Sequence, residues 1–169
     1  MTKTHKTYQL SLDELHDTYY LEGICSTLEG FELAFYLNQN AGSYFYRAPE
    51  DIDFPTANAF FSRFIWESEA EGRVAEFYAN KYQAVLPSSQ NLNDTLFDTP
   101  NLKEVYLLPE FKQLDFVLKV NDLVRLENIK SVLHDLSSVS LHYTIELNKI
   151  KNQMNLIFDW WILSKKLKL

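Results

Sequence analysis

The chain has 169 residues, of which 46% are hydrophobic and 15% aromatic, so it can build the core of one ordinary domain spanning 1–169 without metals or disulfides. Four glycines and five prolines are too few for a disordered linker protein. A formal charge of −7 repels polyanions at long range, which disfavours nucleic acid and anionic membrane as partners.

In chain order, TYQLSL (7–12) alternates apolar and polar residues as a short strand does, and DELHD (13–17) reads as a polar connection. TYYLEGIC (18–25) has β-rich composition. EGFELAFYLNQNAG (29–42) predicts a helix with Phe31, Ala34 and Leu37 or Asn38 on one side, and Gly42 suits its C-terminal stop. SYFYRA (43–48) is a strand ended by Pro49, and APEDIDFPTAN (48–58) is a loop.

AFFSRFIWE (59–67) and RVAEFYAN (73–80) flank SEAEG and predict a β-hairpin, with a helix in either arm as the alternative. LPSSQNLNDT (86–95) is a second polar loop, the best site for a mobile segment. KEVYLL (103–108) and LDFVLKV (114–120) are the strongest strands. In the latter Leu114, Phe116, Leu118 and Val120 point one way, and Asp115, Val117 and Lys119 the other.

NDLVRLENIKSVLHDLSSV (121–139) aligns Leu123, Leu126, Ile129, Val132, Leu133 and Leu136, a helix with Asn121 or Asp122 as N-cap. SLHYTIEL (140–147) alternates Leu141, Tyr143, Ile145 and Leu147 with His142, Thr144 and Glu146, as a strand does. NKIKNQMNLIFDWWILSKK (148–166) is a further amphipathic helix with Ile150, Met154, Ile157, Phe158 and Trp161 aligned. Residues 114–147 could form one βαβ unit. The pattern fits an α+β fold, a mainly antiparallel sheet with helices packed on one face, in a single domain.

Chemistry-bearing motifs are sparse. Phosphate-binding loops of the GxxxxGKS or GxGxxG kind are absent, as is GxSxG, so no cofactor is expected and the reading leans away from an enzyme. His5, His16, His134 and His142 make no HxH, HExxH or HxxxH spacing, and a single Cys25 cannot build a thiolate site, so no metal is expected. Cys25 stands beside Glu22 and Glu29, an electronegative setting that suits a core thiol better than a nucleophile. SKKLKL (164–169) reads as a solubilising tail. The start, MTKTHKTYQL, lacks the apolar core of a secretory signal, and no apolar run approaches the roughly 20 residues of a membrane span. A cytoplasmic protein with no membrane partner is the expectation.

Glu110 and Asp115 could serve as general acid and base, provided both line a cleft, although the chain has other acids. The alternative is structural: Pro109 ends a strand, Glu110 accepts a nearby amide, and Asp115 sits on the less apolar strand face. The aromatic surplus, in YFY, FF, FIW and DWW, exceeds what one small core obviously needs. Trp160 and Trp161 lie about 100° apart on a helix, so one of them is a candidate contact residue. A homo-oligomer or a protein partner follows as the leading expectation, in a non-catalytic interaction protein. A ligand binder or carboxylate enzyme using Glu110 and Asp115 is the alternative.

LPEFKQLDF (108–116) resembles the signature of the IPExxxVDY family. Leu108 stands for Ile, Pro109 and Glu110 match, Leu114 stands for Val, Asp115 matches, and Phe116 replaces Tyr and removes its hydroxyl. GFELAFYLN (30–38), NK (80–81), LF (96–97) and NLIF (155–158) are also similar to the family pattern. The resemblance implies an uncharacterised family of bacterial proteins from the Bacteroidetes lineage with no assigned catalytic residues. Its members are encoded beside fatty-acid synthesis and RNA-processing genes, which implies a third reading: an accessory factor for acyl carrier protein or RNA-processing machinery.

Overall fold

The computed structural model describes residues 19–54, 57–68, 72–85 and 102–151. The strand expected at 7–12, the loop at 86–95, and the C-terminal helix with Trp160 and Trp161 lie outside the described residues. Ten strands and two helices are described: β1 (Tyr20–Ser26), α1 (Gly30–Asn40), β2 (Tyr46–Arg47), β3 (Ile52–Phe54), β4 (Ala59–Phe61), β5 (Arg63–Ser68), β6 (Arg73–Ala79), β7 (Lys81–Val85), β8 (Leu102–Tyr106), β9 (Phe116–Val120), α2 (Leu123–Asp135) and β10 (Val139–Thr144).

Six strands form one antiparallel sheet in the order β10-β1-β9-β6-β5-β2. Because β1 pairs antiparallel with both β9 and β10, those two run parallel, joined by α2 across the strand between them. The expected βαβ unit is therefore split by β1. The fold is α+β, with a mainly antiparallel sheet.

The sheet separates two apolar clusters. On one face Ile24, Phe64, Phe77, Phe116, Leu118 and Val120 pack under Leu33, Ala34 and Leu37 of α1 and Leu126, Ile129 and Leu133 of α2. On the other, Leu21, Tyr78 and Val117 pack against Ile52, Phe61, Leu107, Leu108 and Leu114. Two small antiparallel ladders, β3 with β4 and β7 with β8, contribute to that second layer. The two described helices thus lie on one face, as expected.

Local chemistry explains the helix ends. Glu29 and Glu32 form a reciprocal capping box at the start of α1, the Glu29 amide donating to Glu32 Oε2 at 2.8 Å. Asp122, the N-cap of α2, accepts from the Val124 and Arg125 amides. Burial pushes its carboxyl up, but those two amides and the guanidinium groups of Arg73 and Arg125 outweigh this and hold it below the usual range. In the same first turn the Arg125 guanidinium lies 3.4 Å from the Trp66 ring centroid, fixing α2 to β5.

Four expectations need correction. Phe31 is not on the core side of its helix: the Leu33, Ala34 and Leu37 stripe wins, and Phe31 is 66% exposed. Leu114 does not share a face with Phe116, because it precedes β9 in a turn and packs into the opposite cluster. Leu123 is exposed, since it opens the first turn of α2 rather than lying along its buried stripe. Finally, the 59–67 arm breaks at Ser62: β4 pairs with β3, inside the expected loop at 48–58, and only β5 makes the hairpin with β6.

Candidate functional site

The signature stretch 108–116 and the Asn80–Lys81 dipeptide meet at one end of β1, β6 and β9. Asn80, between β6 and β7, is fully buried. Its Nδ2 donates to the carbonyls of Phe111 at 2.8 Å and Leu114 at 3.1 Å, and its Oδ1 accepts the Leu108 amide at 2.8 Å. Its backbone amide donates to Asp115 O and its carbonyl accepts the Leu107 amide. A carboxamide has one acceptor and two donors in a fixed plane, which suits it to hold a non-repetitive loop in place of a ladder.

That loop is a 3-10 turn over Pro109–Phe111 with Pro109 in its first turn, where a missing N–H costs nothing. Glu110 Oε1 accepts the Lys151 amide at 2.7 Å, tying down the chain beyond β10. Asp115 does different work. Its Oδ1 lies 2.7 Å from Lys81 Nζ and its Oδ2 accepts the Ser26 amide at 2.9 Å, so it clamps the end of β1 to the start of β7. Its hydrogen bond to Lys81 raises the lysine pKa, although burial opposes this. Among the described residues Glu110 and Asp115 share no partner. Phe116 is buried in the helix-side cluster, edge-to-face with Phe77 at 5.9 Å, in apolar surroundings that do not call for a hydroxyl.

Cys25 is next to this cluster. Its thiol donates to Gln113 O at 3.3 Å, and Gln113 Nε2 donates to Tyr143 OH at 2.7 Å. Burial and the Asp115 charge push the thiol up against the opposing pull of Lys81, which makes it a poor nucleophile. Asp115, with one oxygen on an ammonium and the other on an amide, is likewise poorly placed as a general base.

The two described histidines, His134 and His142, do not gather. His134 lies in the last turn of α2, while His142 Nδ1 is 2.7 Å from Glu22 Oε1. Glu22 is 1% exposed; its Oε2 accepts from Thr144 Oγ1 at 2.9 Å and lies 3.8 Å from Lys130 Nζ. Among the described residues no group of three or more potential ligands could hold a metal ion.

A concave surface lies elsewhere. Phe31, Glu32, Phe35 and Tyr36 line a shallow depression of about 430 Å³ on the outer side of α1. Phe31 is 66% and Phe35 59% exposed, and the Phe35 and Tyr36 rings meet edge-to-face at 5.7 Å. The helix therefore presents apolar residues on both halves of its circumference. The sequence signal was legible in FELAFYL, where three aromatics accompany two leucines within seven residues. That is more apolar residues than a single buried stripe uses.

Among the described residues no helix is long and apolar enough to cross a membrane. No family model, curated protein or solved structure matches the chain.

Proposed function

We propose that this chain is a non-catalytic, cytoplasmic interaction protein that docks its partner on the outer face of α1. The observation that carries the reading is the exposure of Phe31 and Phe35 beside Tyr36 on a helix whose opposite side is already packed on the sheet. Exposed aromatics grouped in one depression suit the centre of a contact surface.

Charge selects the occupant. Glu29 and Glu32 border the aromatic residues, no Lys or Arg lies in α1, and the chain carries −7 overall. The partner is an amphipathic helix whose apolar stripe is flanked by Lys or Arg, which would sit over the rings and beside Glu32. Acidic partners are disfavoured by the same argument, so acyl carrier protein and RNA are the weaker readings. Membership of the IPExxxVDY family belongs to the proposal. Its support is that Asn80 and Lys81 bond the signature stretch, Asn80 to Leu108, Phe111 and Leu114, and Lys81 to Asp115.

The test uses fluorescence anisotropy with two synthetic helices of about 18 residues, leucine on one face and either lysine or glutamate on the other. The lysine helix should bind at least about tenfold more tightly than the glutamate helix. Combining Phe31→Ala with Phe35→Ala should abolish that binding without moving the unfolding midpoint. Equal binding by the wild type and the double variant would sink the reading.

A further inference from the structure

The two edges of the six-stranded sheet are built differently. β2 has only Tyr46 and Arg47, with Pro49 close behind and Arg47 paired to Asp51. Such a short, charged edge resists pairing with another chain. β10 runs six residues, VSLHYT, without a proline and without an Asp, Glu, Lys or Arg. Leu141 within it is 51% exposed.

The ladder shows which backbone groups of β10 look outward. The Ile145 amide donates to Leu21 O at 2.9 Å, and in an antiparallel pair inward and outward residues alternate. Leu141, Tyr143 and Ile145 therefore bond towards β1, while the N–H and C=O groups of His142 and Thr144 point away from it. Among the described residues no strand pairs with that side. The register shifts only where Ser26 pairs with Val139, which confines the irregularity to the start of β10 and leaves 141–144 regular.

We infer that β10 is a self-pairing edge: two copies of this chain join β10 to β10, antiparallel, about a two-fold axis at Tyr143. His142 then opposes the partner's Thr144, each pair exchanging two backbone hydrogen bonds, and the sheet continues across the dimer. A second copy fits better than a charged strand. At −7 the chain repels its own kind, yet this edge carries no carboxylate or cation to bring face to face with itself. The register also keeps the faces matched. Leu141 opposes the partner's Ile145 on the apolar side, and polar His142 opposes Thr144 on the other. This interface shares no residue with the outer face of α1 and does not depend on the docking proposed there.

Sedimentation velocity on the full chain, with amide exchange at several protein concentrations, tests the inference. The expected species at about 100 μM has twice the 19.9 kDa chain mass. The His142 and Thr144 amides should exchange more slowly as concentration rises. Leu141→Asp places a carboxylate on each side of the seam and should raise the dimer Kd at least about tenfold. Its unfolding midpoint, measured in parallel, verifies the fold, and Leu141→Lys is the second variant should the first not fold. A strict monomer at about 100 μM overturns the inference. So does a dimer that survives Leu141→Asp and dissolves with Phe35→Ser. Protection of both amides that is independent of concentration would assign the edge to another segment of the same chain and overturn it as well.

Discussion

The Asn80 carboxamide oxygen accepts the Leu108 amide at 2.8 Å, joining positions 28 residues apart at a fully buried point. Asn80→Ala would take their side-chain partner from that amide and from the Leu114 carbonyl, and one of two donors from the Phe111 carbonyl, which keeps the Leu114 amide. Each buried group left unsatisfied costs about 1–3 kcal/mol, so a loss of about 3 kcal/mol or more is expected. Asn80→Asp keeps the acceptor but removes both donors and buries a charge, so it should fare no better. Urea unfolding with an unchanged m-value is the measurement, and a loss below about 1 kcal/mol would refute the latch.

Lys81 and Asp115 form a clamp of a different strength. Their side chains are 37% and 30% exposed, so the pair is screened, and a double-mutant cycle with Lys81→Met and Asp115→Asn should give a coupling of about 0.5–1 kcal/mol. Asp115→Ala should cost more than Lys81→Ala, because it also frees the Ser26 amide.

The same pair predicts behaviour in alkali. The Lys81 pKa is raised by its hydrogen bond to Asp115, and those of Tyr19 and Tyr143 are raised by burial. A raised folded-state pKa contributes stability that is complete below the unfolded value and is lost as pH rises through the folded one. Stability should therefore fall above about pH 10, where Tyr and Lys titrate. Lys81→Met should flatten part of that decline. On the acid side Asp122, held low, has the opposite sign: its contribution is present above about pH 4 and lost below. Thermal unfolding of wild type, Lys81→Met and Asp122→Asn across pH separates the two limbs.

Glu22 is the buried charge on which the β1–β10 edge depends. Glu22→Ala strands the side chains of His142 and Thr144 and removes the carboxylate nearest Lys130. The groups left behind are partly solvated, so the loss of this buried hydrogen-bond acceptor should cost about 1–3 kcal/mol. Lys130→Met, at 3.8 Å and partly solvated, should cost less than about 1 kcal/mol. Comparable losses for the two variants in denaturant unfolding would contradict the assignment of Glu22 as the hub.

How much of this was legible in the sequence depended on whether one segment or several fixed the outcome. Strand β9 and helix α2, N-capped by Asp122, followed from local periodicity and capping chemistry. Phe31 did not, because FELAFYL offers two apolar stripes and only the sheet decides which one it covers. Gly30 tips that choice: a Cβ there would lie 2.7 Å from the Phe64 ring, so the helix start sits flush on β5 and turns Leu33 inward. Glu110 and Asp115, five residues apart, looked like a pair. Their partners, Lys151 for one and Lys81 with Ser26 for the other, come from three distant stretches that no spacing reveals. Asn80 was visible only as half of a dipeptide, although its bonds hold the whole signature loop.

Leu114 of the signature and Gly23 of β1 give the last test. A Cβ built on Gly23 would lie 2.5 and 2.8 Å from the two Leu114 methyl groups and 3.3 Å from Ile145 Cδ1. Gly23 is therefore required by close approach, not by a turn. Gly23→Ala forces Leu114 to move and should cost about 1–3 kcal/mol by overpacking. Leu114→Val alone should cost about 1 kcal/mol by leaving a small void. Combined, the shorter valine makes room for the added methyl, so the double variant should be more stable than the sum of the single losses predicts. Strict additivity in urea would show that the two side chains do not compete for this space, and that the glycine serves the strand in another way.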